Sequence, residues 1–232
     1  MASKTEELGE LFKEWVEEYR QRNDITPAVD DFIEDGIIYE DRWTKAPTKV
    51  LFLARETNGN PGDYLALIRK TGARRWVVAG AWAYALQNAA KNPPFSEAHI
   101  PENWQPAFLS SAIFNLKKKS GGKSANPEQI LEVAKRDKVF IQRGLEIIKA
   151  DIIVCCGTFS IAKEIIPGLK EQKAVDPDGK CFRLNETLWI DFCHFSVRSW
   201  RHDMMYYALL SIYRNCEPYM RPVPKDTLVT RK

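Results

Sequence analysis

Apolar runs and amphipathic stretches alternate along the chain. Four short, largely apolar runs lie between polar, glycine or proline residues, and their length is typical of strands buried on both faces. These runs are 49–54, 111–116, 151–156 and 187–194. The segment 182–185 is a candidate hairpin partner for the last of them.

The stretches between these runs predict helices. The first helix is marked by an apolar stripe at three- and four-residue intervals: Leu8, Leu11, Phe12, Trp15, Val16 and Tyr19. Further helices are expected at 75–90, 126–149, 157–166 and 202–213. Asn126 followed by Pro127 is typical of a helix start, because asparagine caps the first turn and proline fits its first position.

Strands separated by helices require crossover connections, so the pattern predicts an α/β fold. We expect a three-layer αβα sandwich around a central, mainly parallel four-stranded sheet. The length of 232 residues suits a single domain. Within it, 1–46 is interpreted as an N-terminal helical extension and 216–232 as a C-terminal tail.

Composition excludes several classes of protein. The chain is 44% hydrophobic but has no run long enough to span a membrane, and its net charge of +3 does not by itself indicate a nucleic-acid partner. The charged start of the sequence lacks the apolar stretch of a secretory signal, so we expect a cytoplasmic protein. The five cysteines never occur as C-x-x-C and no metal-ligand spacing is present, so neither a disulfide framework nor a metal site is expected.

Polar residues follow each predicted strand, where parallel sheets bind ligands. His194 ends the last run and supplies an imidazole, while Glu56 follows the first run and can orient a water molecule. Asn58 and Asn60 are within reach of the same edge. The sequence therefore predicts a site at the carboxyl ends of the strands.

Two other motifs give only weak support for a nucleotide-binding site or a catalytic cysteine. The run Gly122-Lys-Ser124 lacks the leading glycine of a phosphate-binding P-loop, because Lys117 occupies that position. We interpret 117–123 as an exposed basic loop that can contact DNA phosphates. Cys193 and His194 are adjacent on a strand and point to opposite faces, which disfavours a nucleophile and base pair.

Four segments, taken in order, resemble the uracil-DNA glycosylase superfamily and especially its family 4. They are VLFLARETN at 50–58, AIFNLKKKSGG at 112–122 with NPEQI at 126–130, IIKADIIVCCGTFSIA at 147–162, and FCHFSVR at 192–198. Only their succession is specific, since each is short.

The resemblance implies a cofactor-independent enzyme that flips a base out of duplex or single-stranded DNA. It assigns catalysis to His194 and to Glu56, or to Asn60 if Asn60-Pro-Gly62 matches the mismatch-specific branch. It assigns substrate binding to Asn58, Asn115 and Gly157. It assigns DNA contacts to Lys117, Lys118, Lys119, Lys123, Ser196 and Arg198. We expect a monomer without metal.

Three functions remain open at this point. The first is a glycosylase that hydrolyses the N-glycosidic bond of a damaged or deaminated base. The second is a catalytically silent nucleic-acid or nucleotide receptor, favoured by Ala54 and Phe195, which replace the glycine and proline of the family motifs. The third is a hydrolase that uses the same pocket on a free nucleoside.

Overall fold

The computed structural model describes residues 2–22, 32–58, 64–70, 76–121, 125–196 and 201–216. The strands in these ranges are β1 (Gly36–Ile37), β2 (Val50–Ala54), β3 (Ala112–Asn115), β4 (Ile152–Cys156), β5 (Cys181–Leu184) and β6 (Thr187–Phe192). The α-helices are α1 (Lys4–Gln21), α2 (Glu40–Lys45), α3 (Tyr64–Lys70), α4 (Val77–Gln87), α5 (Phe95–Ala98), α6 (Pro101–Leu109), α7 (Pro127–Arg136), α8 (Lys138–Ile148), α9 (Phe159–Ile165) and α10 (His202–Cys216). A 3₁₀ turn, Ala89–Lys91, follows α4.

The strands form one sheet in the order β1-β3-β2-β4-β6-β5. The four central strands are parallel, and the two edge strands β1 and β5 run antiparallel to their neighbours. The predicted α/β fold is confirmed, including the hairpin formed by β5 and β6. The sheet has six strands rather than four, because β5 extends it at one edge and the two-residue β1 extends it at the other.

Helices cover both faces of this sheet, because alternate residues of each central strand face opposite cores. Val50 and Phe52 of β2 pack on the side of α3, α4, α5, α6 and α10. Leu51 and Leu53 pack on the side of α1, α2, α7, α8 and α9. All four side chains are fully buried, and burial of each contributes about 1.5–3 kcal/mol. This arrangement explains why β2 appears as an uninterrupted apolar run.

Helix α1 belongs to one of these two layers. It starts with a capping box between Ser3 and Glu6, and its predicted stripe buries Leu8, Leu11 and Trp15 against the sheet and α8. The predicted first helix is confirmed.

The predicted helix 126–149 is two helices, α7 and α8, separated at Asp137. The Asp137 backbone departs from helical angles (φ −96°, ψ 10°). Its fully buried carboxylate accepts a hydrogen bond from the Tyr19 hydroxyl and pairs with Arg22 and Arg136. Because Tyr19 and Arg22 are far from Asp137 in sequence, the apolar period alone did not indicate the break.

Helix α6 was not predicted, and its sequence contains both Pro101 and Pro106. Pro101 occupies the first turn, where its missing N–H costs nothing. The helix packs closely on α4 at Gly80, where a built Cβ would lie 2.7 Å from the Trp104 ring. Tertiary packing on α4 therefore determines this helix.

Candidate functional site

The carboxyl ends of the four parallel strands lie side by side at one edge of the sheet. Ala54 of β2 pairs with Asn115 of β3, and Cys156 of β4 pairs with Phe192 of β6. The polar residues that follow these strands consequently share this edge, which we name the strand-end site.

Glu56 and Lys117 form a nearly buried ion pair at the strand-end site. Strand-like pairing continues past β2 and β3, with the Lys117 N–H donating to the Arg55 carbonyl at 3.0 Å. The Lys117 ammonium contacts Glu56 Oε2, and the two side chains are 9% and 6% exposed. The prediction that Lys117 binds DNA phosphate therefore needs correction, because its charge is already matched by Glu56.

Gly121 allows the Glu56 carboxylate to occupy this position. The Gly121 N–H donates to the Thr57 carbonyl at 2.8 Å, which brings its backbone against the carboxylate. A built Cβ at Gly121 would lie 1.9 Å from Glu56 Oε1, well inside contact distance. A glycine is thus required at position 121, because the Glu56 carboxylate lies against its Cα.

Arg55, the residue after β2, connects this strand to the end of β4. Its Nε and Nη2 donate to the Gly157 carbonyl at 3.2 and 3.1 Å. Gly157 has φ +70°, and its own N–H donates to the Phe192 carbonyl at 2.7 Å. A Cβ at Gly157 would lie 2.8 Å from Arg55 Nη2. Gly157 therefore works through its backbone, as a support for Arg55.

His194 is half-buried just beyond β6 and has a defined tautomer. Its Nδ1 accepts the Ser196 backbone N–H at 3.2 Å and lies 2.7 Å from Ser196 Oγ. Because a backbone N–H can only donate, Nδ1 carries no proton and the ring proton is on Nε2. Burial, and secondly the positive charge of Arg55, lowers the pKa of His194 from 6.5 to about 4. The imidazole is therefore a neutral Nε2–H donor at pH 7.

Phe195 packs between the His194 ring and the apolar core. Its ring is 4.2 Å from the His194 ring and packs against Phe52 and Trp76, at centroid distances of 6.2 and 5.3 Å. Only 9% of Phe195 is exposed. The phenyl ring thus anchors the His194 segment to the apolar core.

Asn115 ends β3, Lys118 follows it three residues later, and both side chains contact Asp35. Asp35 Oδ2 accepts the Asn115 backbone N–H at 2.8 Å and its side-chain Nδ2–H at 2.9 Å. The Lys118 ammonium contacts Asp35 Oδ1 and lies 3.4 Å from the centroid of the Phe114 ring. All three polar residues are at most 1% exposed.

This burial contradicts the prediction that Lys118 contacts DNA. Burial lowers the pKa of Lys118 to about 8, although Asp35 counteracts the shift. Burial also raises the pKa of Asp35, against the opposing effects of Lys118 and Asn115. Alternation past β3 turns Lys118 into the core, so three consecutive lysines do not form one exposed surface.

The remaining predicted residues are distributed around the edge. Asn58 is exposed and forms a parallel bridge with Gly121. Lys119 is half-buried and bridges Phe32 through its backbone, and Ser196 is exposed. The predictions for Asn60, Lys123 and Arg198 fall outside the described residues.

Sequence reasoning missed Arg55 and Asp35. Arg55 directly follows a buried strand, so the rule that selected Glu56 also applies to it. Asp35 had no comparable signal, because its partner Asn115 is 80 residues away and no motif connects them.

A separate groove of about 440 Å³ lies at the amino-terminal ends of β4 and β6, away from the strand-end site. Ile153, Thr187 and Trp189 are among its lining residues. It does not include any of the predicted site residues, so it gives no support to the strand-end site.

Within the described ranges, no group of three or more His, Cys, Asp or Glu side chains is placed to hold a metal ion. No helix in those ranges has both the length and the apolar character needed to cross a bilayer. No protein-family model matches the sequence, and no curated protein is significantly similar to it.

Proposed function

We propose that the protein is a DNA glycosylase-like hydrolase that removes a flipped damaged or deaminated base, as in base excision repair. The observation that carries the proposal is the state of His194 at the strand-end site. A neutral imidazole with its proton on Nε2 is a preorganised hydrogen-bond donor for negative charge that develops on a departing base. The positive charge of Arg55 helps to keep the imidazole neutral, and the Ser196 N–H, which donates to Nδ1, keeps the ring proton on Nε2.

The reaction would proceed as a hydrolysis. The C1′–N bond breaks with its electron pair leaving on the base, while the His194 Nε2–H donates to that base. The oxygen of a water molecule then bonds to C1′, and the proton it loses passes to the Glu56 carboxylate. Glu56 also offsets the positive charge on the sugar before the water adds.

Lys117 and Gly121 would hold Glu56 in place for this role. The ammonium pairs with the carboxylate, and the glycine leaves the space that the carboxylate fills. Lys119 with Ser196 would contact phosphates. The burial of Asn115, which is 1% exposed and bonded to Asp35, argues against its predicted contact with the base. Asn60 remains the alternative water-positioning residue.

An abasic-site assay tests the proposal. Duplex and single-stranded oligonucleotides carrying uracil, hypoxanthine, xanthine or alkylated bases are incubated with protein and then treated with alkali. We expect strand cleavage by the wild type and by the control His99→Ala, and at least a roughly 100-fold lower rate for His194→Ala, as is typical for loss of one oxyanion donor. Absence of cleavage by the wild type on every base overturns the proposal.

A second candidate, a silent nucleic-acid receptor, is favoured by the Glu56–Lys117 pair. A carboxylate that is 6% exposed and already ion-paired is poorly placed to activate water. This candidate predicts salt-dependent DNA binding without abasic product. Lys119→Ala should then make the negative slope of log K for DNA binding against log salt concentration shallower by about 0.9 on duplex DNA. Lys91→Ala should leave that slope unchanged.

A further inference from the structure

Arg55 carries a positive charge that no acidic side chain balances in the described part of the chain. Its Nε and Nη2 donate to a neutral group, the Gly157 carbonyl, at 3.2 and 3.1 Å, and both hydrogens on Nη1 have no acceptor among the described residues. The neighbouring carboxylate, Glu56, pairs with Lys117 instead. Arg55 is half-buried, so part of its guanidinium is accessible and attracts an anion.

The order of the strands places Arg55 between the other two groups of the proposed reaction. Along the sheet the parallel strands follow the order β3, β2, β4 and β6. The Glu56–Lys117 pair joins the ends of β3 and β2. Arg55 joins the ends of β2 and β4, and His194 follows β6. Because neighbouring strands are about 4.8 Å apart, β2 and β6 are separated by about 10 Å, and a nucleotide that bridges Glu56 and His194 lies next to Arg55.

The direction of the Arg55 guanidinium is fixed before any ligand binds. Its two hydrogen bonds to Gly157 hold the guanidinium plane. A built Cβ at Gly157 would lie 2.8 Å from Nη2, so the glycine leaves the space that the guanidinium fills. Burial and, secondly, the charge of Arg55 lower the pKa of His194 to about 4, which indicates that the two side chains are close together. Such preorganised donors stabilise negative charge that develops between them.

We infer that Arg55 is a further catalytic residue, which donates from Nη1 to the carbonyl oxygen of a departing pyrimidine and takes part of its negative charge. The inference rests on the proposed function, in which the C1′–N electron pair leaves on the base. As the bond breaks, that pair is shared with the carbonyl oxygen beside the glycosidic nitrogen, so this oxygen gains charge in the transition state. An interaction that strengthens in the transition state raises the rate. The guanidinium supplies it without a proton transfer, because it stays protonated throughout.

Leaving groups of different quality test this role in Arg55→Met. Single-turnover rates are measured at pH 8 on oligonucleotides carrying uracil or 5-fluorouracil. Fluorine withdraws charge, so 5-fluorouracil is the better leaving group and needs less stabilisation. At pH 8 the His194 imidazole is neutral even with its ordinary pKa of 6.5, so the variant does not change its charge.

We expect the rate of Arg55→Met on uracil to fall at least about tenfold, and its rate on 5-fluorouracil to fall about threefold less. The control Arg201→Met, which removes an exposed arginine paired with Asp203, should keep both wild-type rates. A role in structure alone lowers both rates by the same factor, and that result overturns the inference.

Binding of a free base tests the charge without cleavage. At pH 8 5-nitrouracil is an anion and uracil is neutral, and calorimetric titration gives both affinities. We expect wild type and Arg201→Met to bind the anion at least about tenfold more tightly than uracil, and Arg55→Met to lose this preference. Equal wild-type affinities overturn the inference even where Arg55→Met does not fold. If the wild type cleaves no base but prefers the anion through Arg55, the proposed function fails while the anion site stands.

Discussion

The Glu56 carboxylate occupies the space that a side chain at Gly121 would need, with Oε1 1.9 Å from the built Cβ. The two residues come from different strand ends, and their contact connects the segment after β2 to the segment after β3. Any side chain at 121 must displace either the carboxylate or the backbone that carries it.

Gly121→Ala should therefore separate Glu56 from Lys117. We expect a loss of about 1–3 kcal/mol in the free energy of unfolding, as for other overpacked sites, and a large loss of any hydrolytic activity. Urea denaturation measures the first effect. Gly9→Ala, in α1 with no atom within 4 Å of the built Cβ, should instead stabilise by about 0.5–1 kcal/mol. Equal stability of Gly121→Ala and wild type would contradict the proposed close contact.

The lowered pKa of His194 makes stability depend on pH. In the unfolded chain the imidazole has its ordinary pKa of 6.5, whereas in the folded protein it is about 4. Between these values the unfolded chain binds a proton that the folded protein does not, so this contribution is fully present above pH 6.5 and is lost as the pH falls to 4. The loss is at most about 3 kcal/mol. Urea midpoints from about pH 4 to 8 should show it for wild type, with a flatter profile for His194→Gln.

Arg55→Met should raise the pKa of His194. The variant removes the positive charge that disfavours the imidazolium and leaves the Gly157 carbonyl without its two donors. An NMR titration of the His194 ring resonances measures the shift, with Arg201→Met, on an exposed arginine paired with Asp203, as the control. A His194 pKa that is the same in Arg55→Met and wild type would show that burial alone lowers it.

Lys118→Met should be strongly destabilising, because it leaves the Asp35 charge buried without a counter-ion. We expect a loss of about 3–5 kcal/mol. The double variant Asp35→Asn with Lys118→Met removes that charge and keeps an acceptor for Asn115, so it should recover at least half of the loss. The free energies of unfolding of wild type, the two single variants and the double variant, measured by thermal and urea unfolding, form a double-mutant cycle. Additive losses would mean that the two side chains do not interact.

The central strands were predictable because their burial on both faces leaves a continuous apolar signature, as in 50–54 and 152–156. Strand β1 was not, since Gly36 and Ile37 are too short to show any period. At the site, chain order alone indicated that Glu56, Gly157 and His194 share one sheet edge. The inward direction of Lys118 depends on Asp35, 83 residues away, and on pairing that continues past the strand. Such long-range partners leave no local trace.

The break at Asp137 has a consequence for the unfolding of α1. Tyr19 and Arg22 attach the end of that helix to the corner between α7 and α8, while its apolar stripe packs beneath them. The helix is therefore part of the same cooperative unit as the middle of the chain. Its backbone amides should exchange with solvent only when that whole layer opens, rather than by fraying from one end.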